Sequence, residues 1–254
     1  MDFVNTSPLE QFQIFQVGWV TNAMLFMTLA VTILVLFFYN TTYDVQDYSS
    51  RVPVSMVSLP HVLSMSLVQF VLGFYAENFS TESAKMRYFP VILSVFVLIL
   101  TLNLTGLVPY SFTVTSHMST TFTLGLSLFW GLTLCGIATH RFNFLSLFFP
   151  SGTPLWMAPL LVPIELVSYF MRGISLSVRL FANMMAGHAL LKILAGFCWT
   201  AIGSGSILSY FVVVPEFLLI TAIMGLEIGV SLLQAFVFSV LLVVYANDAI
   251  QLHG

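Results

Sequence analysis

The sequence predicts an all-α polytopic membrane protein. We expect a first transmembrane helix, an interfacial amphipathic helix, a transmembrane hairpin and two long, strongly tilted helices that form an antiparallel hairpin. Three observations support this prediction. The 254 residues are 59% hydrophobic and only 7% charged, whereas soluble domains carry about 25% charged residues. Uncharged apolar runs recur at about the 20-residue length that spans a bilayer. The last two runs are about twice that length, so they must tilt, kink or bend.

The chain begins with a mixed stretch, residues 1–20, which we interpret as an N-terminal surface segment. Ser7 followed by Pro8 is typical of a helix start, with Ser as N-cap and Pro at the first helical position. Residues 21–39 then form an uncharged run of about one membrane thickness. That run predicts the first transmembrane helix.

A polar loop, residues 40–53, separates this helix from residues 54–79. The latter stretch mixes apolar residues with Ser, His and Gln, which indicates an amphipathic helix at the membrane interface or against the bundle. Residues 88–139 contain two further apolar runs and predict a transmembrane hairpin. Residues 155–250 contain the two longest runs and predict the long tilted helical hairpin.

The basic residues outside that last hairpin predict the orientation of the chain. In this arrangement all of them fall on one side of the membrane: Arg51, Lys85, Arg87 and Arg141. The positive-inside rule then places the N-terminus on the outer side and the C-terminus on the inner side.

The first long run, residues 159–192, is apolar but contains ionisable side chains. An Arg at the bilayer centre costs about 2.5–3.5 kcal/mol on insertion scales, so such residues indicate function. Glu165, Arg172 and Arg179 follow one another at intervals of seven and share one stripe of a helix. This regular placement predicts a polar stripe along the helix.

Two more features of the same run extend this pattern. Asn183, four residues after Arg179, lies on the same stripe. His188 points to nearly the opposite side and shares its face with Lys192. One helix therefore has two polar faces back to back, which is typical of a wall between two aqueous spaces.

The second long run contains carboxylates and an amide. Glu227 and Gln234 share a face with Glu216, and Asp248 lies near the end of the chain. Titrating groups that face one permanent cation are typical of ion translocation, because Arg179 cannot release its proton. The alternative class is a proton-coupled secondary transporter, which would have a midplane pocket and broken helices.

Simpler interpretations remain open for four of these residues. Arg172 is either an ion-pair partner of Glu165 or a snorkelling side chain, and Lys192 snorkels towards an interface. Glu216 follows a Pro near a helix start, where a carboxylate suits the helix dipole. Asp248 is interpreted as an exposed terminal carboxylate.

Several functions are excluded. No basic cluster supports nucleic-acid binding, and no P-loop supports nucleotide chemistry. Cys135 and Cys198 lie in apolar runs without metal or redox spacing. We therefore expect no cofactor and no metal site.

Several blocks of the sequence together resemble one family, subunit a of the F-type ATP synthases. The blocks are collinear from residue 7 to the C-terminus. They read SPLEQFQI, NLTGLVPYSFTVTSH, PIELVSYFMR, ISLSVRLFANMMAGHALLKIL and LEIGVSLLQAFVFSVLLVVYANDAI. The order of AGH before LE is similar to mitochondrial members. The resemblance implies a non-nucleotide-binding proton-channel subunit of the membrane sector Fo, working as a stator against a rotating c-ring.

The resemblance also implies a role for each charged residue. Arg179 matches the arginine that faces the c-ring carboxylate, with Asn183 and Gln234 as polar support. His188 and Glu227 match the half-channel that opens to the proton-rich side.

On the inner side, Glu165 and Asp248 match positions of the second half-channel. The implied partners are the c-ring, the peripheral stalk and other Fo subunits, the lipid bilayer, and protons as the transported ion. The implied location is the mitochondrial inner membrane, with the N-terminus in the intermembrane space and the C-terminus in the matrix.

Overall fold

The protein is described by a computed structural model that covers residues 7–48, 59–78, 82–108, 111–141, 155–203 and 207–250. The described residues form six α-helices and one two-stranded ribbon, which confirms the all-α fold class. The helices are α1 (Asn22–Tyr48), α2 (Leu59–Asn78), α3 (Glu82–Gly106), α4 (Met118–His140), α5 (Ala158–Gly203) and α6 (Ile207–Ile250).

Five of these helices contain segments that are long and apolar enough to cross a membrane, counted over the described residues: α1, α3, α4, α5 and α6. The last two have 46 and 44 residues, which corresponds to about 69 Å and about 66 Å of helix. They pack against each other. The long C-terminal hairpin is therefore present, and its helices are about twice as long as the hydrocarbon layer is thick.

The N-terminal segment folds back on itself before α1. Pro8–Phe12 is a 3-10 helix, and Ser7 Oγ accepts a hydrogen bond from the Leu9 amide at 3.3 Å. The short antiparallel strands β1 (Gln16–Val17) and β2 (Val20–Thr21) follow. Ser7 thus caps a helix that begins at Pro8, as the sequence predicted, although the helix is a 3-10 helix.

Two helices extend further than their apolar runs. The first, α1, continues to Tyr48 through residues that we predicted as a polar loop. Similarly, α3 begins at Glu82, six residues before the apolar run. Neither extension contains Gly or Pro. A helix satisfies its own backbone groups, so it can continue into a polar environment where no helix-breaking residue interrupts it.

The core lies between α3 and α6, with α2 and α5 packed around them. Its members are fully or nearly fully buried and come from all four helices: Val71, Phe96, Ile99, Leu180, Phe238 and Val243. This packing holds α6 against α5 along one face. The charged residues of the two long helices are thereby placed at a defined interface.

The fourth helix approaches α5 closely at Gly125. A Cβ atom at this position would overlap Ser177 Oγ and would lie 3.2 Å from Ser177 Cβ. Both residues are buried. The absence of a side chain at Gly125 therefore permits the contact, as small residues commonly do between membrane helices.

We expect Gly125→Ala to lower the free energy of unfolding by about 1–3 kcal/mol, because the added methyl overpacks the contact. Thermal denaturation of the purified protein in detergent measures this loss. Adding Ser177→Ala to the first change removes the overlapping hydroxyl and should restore most of the stability. Equal stability of Gly125→Ala and the unmodified protein would contradict the close contact.

Candidate functional site

The described residues place three polar contacts along the interface between α5 and α6. Arg172 reaches Asp248, Asn183 reaches Gln234 and His188 reaches Glu227. As the residue number rises along α5, the residue number of the partner on α6 falls, as expected for an antiparallel hairpin. The sequence predicted His188 on nearly the opposite side of the helix from Arg172 and Asn183, and this prediction was wrong, because all three side chains contact α6.

At one end of the hairpin, Arg172 links two carboxylates. Its Nη1 donates to Asp248 Oδ2 at 3.3 Å, and its Nη2 lies 3.8 Å from Glu165 Oε1. Each of these side chains is about one-third exposed. The guanidinium also lies 6.0 Å from the ring centre of Tyr245, within cation–π range. The ion-pair interpretation of Arg172 is confirmed, and Asp248 is a bridged, half-buried carboxylate instead of a free terminal one.

At the middle of the hairpin, two amides meet. Asn183 Nδ2 donates to Gln234 Oε1 at 2.9 Å. Gln234 is buried, and one turn earlier Ser231 is also buried. The Ser231 carbonyl accepts a hydrogen bond from Asn103 Nδ2 on α3 at 3.3 Å. Adjacent buried polar residues of α6, Gln234 and Ser231, thus form hydrogen bonds with α5 and α3, respectively.

Towards the other end, His188 and Glu227 face each other. His188 Nε2 lies 3.5 Å from Glu227 Oε1, and the Glu227 side chain is only 4% exposed. Neither Glu227 oxygen has a hydrogen-bond partner among the described residues. A buried carboxylate without a hydrogen bond is costly, so this group is suited to exchanging a proton with His188 or with water.

Gly187 makes room for this carboxylate. A Cβ atom at Gly187 would lie 2.7 Å from Glu227 Oε1 and 3.0 Å from Glu227 Cδ. The carboxyl group can therefore rest against the backbone of α5. The sequence analysis did not assign a role to Gly187, although it precedes His188 directly.

Arg179 differs from Arg172 and His188 because it has no ion-pair partner on α6 among the described residues. It is exposed, and it forms no ion pair with any residue that the structure describes. Along α5 it lies seven residues from Arg172 and nine from His188, or about 10 Å and about 13 Å of helix rise. A permanent cation thus lies between the ionisable residues around Arg172 and the pair His188 and Glu227.

The surface around Arg179 consists of small side chains. Ser175, Ala182 and Ala186 lie four residues before, three after and seven after it, so they share its face. All three are exposed. Small residues let a neighbouring membrane helix approach closely, and the guanidinium would then be in contact with that helix.

Three residues differ from what the sequence suggested. Lys192 does not simply extend to an interface, because its Nζ donates to the Ser7 carbonyl at 3.0 Å. Glu216 is the tenth residue of α6, beyond the first turn where a helix dipole acts. Asn103 was not predicted. An amide inside an otherwise apolar span was the signal that could have identified it.

Comparison with known proteins shows the family to which the chain is similar. The family described as ATP synthase A chain matches residues 24–247. A protein named ATP synthase subunit a from Marchantia polymorpha is 44% identical over 97% of this chain and 99% of its own length. Proteins of the same name from Chondrus crispus and Brassica napus are 43% and 41% identical, each over at least 98% of both chains.

The matches cover nearly the whole chain, and the family match includes α5 and most of α6. They also decide against the secondary-transporter alternative. The chain therefore belongs to the ATP synthase A chain family, whose members are the proton-translocating stator subunit a of the Fo sector and contribute a channel rather than a catalytic site.

Proposed function

We propose that the α5–α6 hairpin contains two offset half-channels that carry protons to and from carboxylates of a c-ring. A half-channel here means a polar path that opens to one side of the membrane only. The observation that supports this proposal is the position of Arg179, an exposed cation without a described partner between two groups of ionisable residues. Such a cation attracts a carboxylate from another subunit and repels protons that would pass directly.

In the outer half-channel, His188 and Glu227 relay the proton. Their 3.5 Å separation supports this role, and so does the lack of a hydrogen-bond partner for either Glu227 oxygen among the described residues. A proton that reaches the ring neutralises a carboxylate, and a neutral carboxylic acid enters lipid far more easily than a charged one. Asn183 and Gln234 keep the neighbouring part of α5 and α6 together through their hydrogen bond.

In the inner half-channel, Glu165 and Asp248 accept the proton that the ring releases. Arg172 bridges both carboxylates and holds them near each other at the surface of the hairpin. Each proton that crosses gains about 2.3 kcal/mol per 100 mV of membrane potential. Rotation of the ring transmits this free energy to ATP synthesis in the nucleotide-binding subunits.

We place the protein in the mitochondrial inner membrane, with its N-terminus in the intermembrane space and its C-terminus in the matrix. The single-sided distribution of Arg51, Lys85, Arg87 and Arg141 supports this orientation. The order of His188 before Glu227 along the chain supports the mitochondrial assignment. The c-ring and the peripheral stalk are the expected partners among the other subunits of the complex.

Site-specific photo-cross-linking tests the contact with the ring. We expect a benzophenone residue at Ala182, next to Arg179, to cross-link the ring subunit in the assembled complex. Mass spectrometry of the product identifies the partner. The same label at Leu134, on the exposed face of α4, is the control and should not reach the ring. Capture of lipid or a stalk subunit from position 182 would contradict the proposal.

A change at Arg172 tests the inner half-channel. We expect Arg172→Met to slow ATP synthesis by up to about fivefold, because a half-exposed ion pair is worth at most about 1 kcal/mol. Arg172→Lys should be intermediate, since an ammonium group cannot bond both carboxylates in the same planar geometry. Synthesis rates in vesicles energised by a fixed pH gradient measure both. An unchanged rate in Arg172→Met would argue against a role for this bridge.

A further inference from the structure

The half of the α5–α6 hairpin next to its turn packs weakly against the rest of the chain. In α5, Cys198 is the only buried residue between residues 185 and 203. In α6, no residue before Glu227 is buried among those whose exposure the structure describes. The α5 residues that belong to the core come earlier in the helix: Leu176 and Leu180. His188 and Glu227 therefore lie where the core packing of α5 ends.

The N-terminal segment reaches this half of the hairpin. Lys192 Nζ donates a hydrogen bond to the Ser7 carbonyl at 3.0 Å, and the 3-10 helix Pro8–Phe12 contacts α5. The same carbonyl accepts a hydrogen bond from the Glu10 amide at 3.0 Å, so Lys192 holds the first turn of that helix. Lys192 comes four residues after His188 and lies one turn further on the same side of α5.

The other end of the segment is fixed to α1. Asn22 Nδ2 donates to the Gln13 carbonyl at 3.1 Å, and Asn22 Oδ1 accepts from the Phe15 amide at 3.2 Å. The Asn22 amide also donates to the Phe15 carbonyl at 3.1 Å. Helix α1 in turn packs against α3 through the buried Ala30. Residues 7–22, here called the N-terminal strap, thus connect α5 with a helix that is itself packed into the bundle.

We propose that Lys192 is a positioning residue for proton transfer in the outer half-channel and acts through the N-terminal strap. The strap holds the weakly packed half of α5 against the bundle and so keeps His188 opposite Glu227. This inference rests on the proposed half-channel role of that pair. Proton transfer requires the two groups to lie within hydrogen-bond reach or one water apart. Their separation is already 3.5 Å, so a further displacement of α5 would slow the transfer.

Two other roles of Lys192 lead to different results. If the ammonium acted by its charge alone, release of the strap at α1 would not change proton transfer. If Lys192 only snorkelled, its removal would change neither the strap nor proton transfer. A flexible lysine stem allows the ammonium to reach water, yet here it bonds a backbone carbonyl 185 residues away in sequence. The observed contact therefore favours a tether.

Passive proton flux through the reconstituted membrane sector tests the proposal. We expect Lys192→Met to slow the flux about fivefold, the effect of losing one hydrogen bond between partly exposed groups. Lys192→Arg should restore most of the flux, because a guanidinium also donates to a carbonyl. Thr200→Val is the matched control, because Thr200 is exposed on the same part of α5 and its described hydrogen bond, to the Phe197 carbonyl, stays within the helix. Native electrophoresis checks that all variants assemble in equal amounts.

A change at the other end of the strap separates the tether from the charge. Asn22→Ala removes both side-chain hydrogen bonds to the strap and leaves Lys192 in place. We expect the flux to fall about twofold, less than in Lys192→Met, because the backbone bond between Asn22 and Phe15 remains. Normal flux in Asn22→Ala beside slow flux in Lys192→Met would overturn the proposal in favour of a charge effect.

A neutral covalent tether provides a second test. Ser7→Cys and Lys192→Cys are combined in a background with Cys135→Ala and Cys198→Ala, and a short bismethanethiosulfonate joins the two new thiols. We expect slow flux before cross-linking and recovery of most of the flux afterwards, although the ammonium is absent. The same reagent on Lys192→Cys alone is the control and should not restore the flux. No recovery in the linked protein, with the link verified by mass spectrometry, would overturn the proposal.

Coupling to His188 distinguishes positioning from a general loss of stability. Adding Lys192→Met to His188→Gln should slow the flux little further, because Lys192 acts through a group that is already lost. Adding it to Arg172→Met should multiply the two effects, since the residues are 20 positions or about 30 Å of helix apart. An equally large loss from Lys192→Met with and without His188 would refute positioning.

The half-channel itself is tested separately by Glu227→Gln. Normal flux in that variant would remove the basis of both proposals. Slow flux in Glu227→Gln together with normal flux in Lys192→Met would overturn only the role of Lys192 and leave the half-channel in place.

Discussion

Arg179→Ala should abolish ATP synthesis driven by a proton gradient while the complex still assembles. Arg179 is exposed and has no ion pair with a described residue, so its removal should change the stability of the fold by no more than about 0.5 kcal/mol. Its fixed charge, however, acts on the group that carries the proton. Loss of such a preorganised electrostatic contact typically lowers a rate by about 10²-fold or more. ATP synthesis in sealed, energised vesicles measures the effect.

The neighbouring substitution Val178→Ala is the control for Arg179→Ala. Val178 is exposed on the same turn of α5 but has no charge, so this variant should retain its synthesis rate. The amount of assembled complex, measured by native electrophoresis, should be the same in both variants. Normal synthesis by Arg179→Ala would refute the proposed role. Loss of assembly in that variant would instead indicate a structural role.

Glu227→Gln should slow passive proton flow through the complex by about 10²-fold, the contribution typical of a positioned proton-transfer group. The amide has nearly the same shape as the carboxyl group, but it does not exchange a proton at neutral pH. The buried Glu227 oxygens have no hydrogen-bond partner in the described part of the chain. The substitution therefore removes proton exchange without breaking a described hydrogen bond. Proton flux into potassium-loaded vesicles containing the reconstituted membrane sector measures the change.

Glu10→Gln is the matched control for Glu227→Gln. Glu10 is exposed in the N-terminal 3-10 helix and lies outside both long helices, so this carboxylate should not affect the flux. His188→Gln should cause a loss similar to that of Glu227→Gln. The double variant should lose little more, because two members of one relay act as a unit. Unchanged flux in Glu227→Gln would count against the outer half-channel.

The contact between His188 and Glu227 shows what residue spacing can predict and what it cannot. Seven-residue intervals placed Glu165, Arg172 and Arg179 on one stripe, and the antiparallel hairpin followed from the length of the two apolar runs. Spacing within one helix does not specify the register against the next helix, however. That register depends on close packing of uncharged residues, and it decides that His188 meets Glu227 at 3.5 Å.

The same reasoning explains which residues the sequence analysis missed. Asn103 bonds the Ser231 carbonyl across 128 residues of sequence, and Lys192 bonds the Ser7 carbonyl across 185. No local pattern encodes such contacts, because they form only when distant helices pack. The predicted dipole role of Glu216 was wrong for a related reason, since α6 begins at Ile207 and continues through Pro215.

The sequence by itself determined the membrane class, the number of long apolar runs and the identity of the ionisable residues within them. These features follow from hydropathy and from the high cost of charge in lipid, which depend on composition and order alone. Only the tertiary structure decided which residues these ionisable side chains contact. It joined Arg172 to two carboxylates, left Arg179 exposed between two polar groups, and joined Lys192 to the Ser7 carbonyl. The physical reason is that packing of apolar side chains sets the register and distance between helices. The positions of the charged residues relative to one another follow from that register.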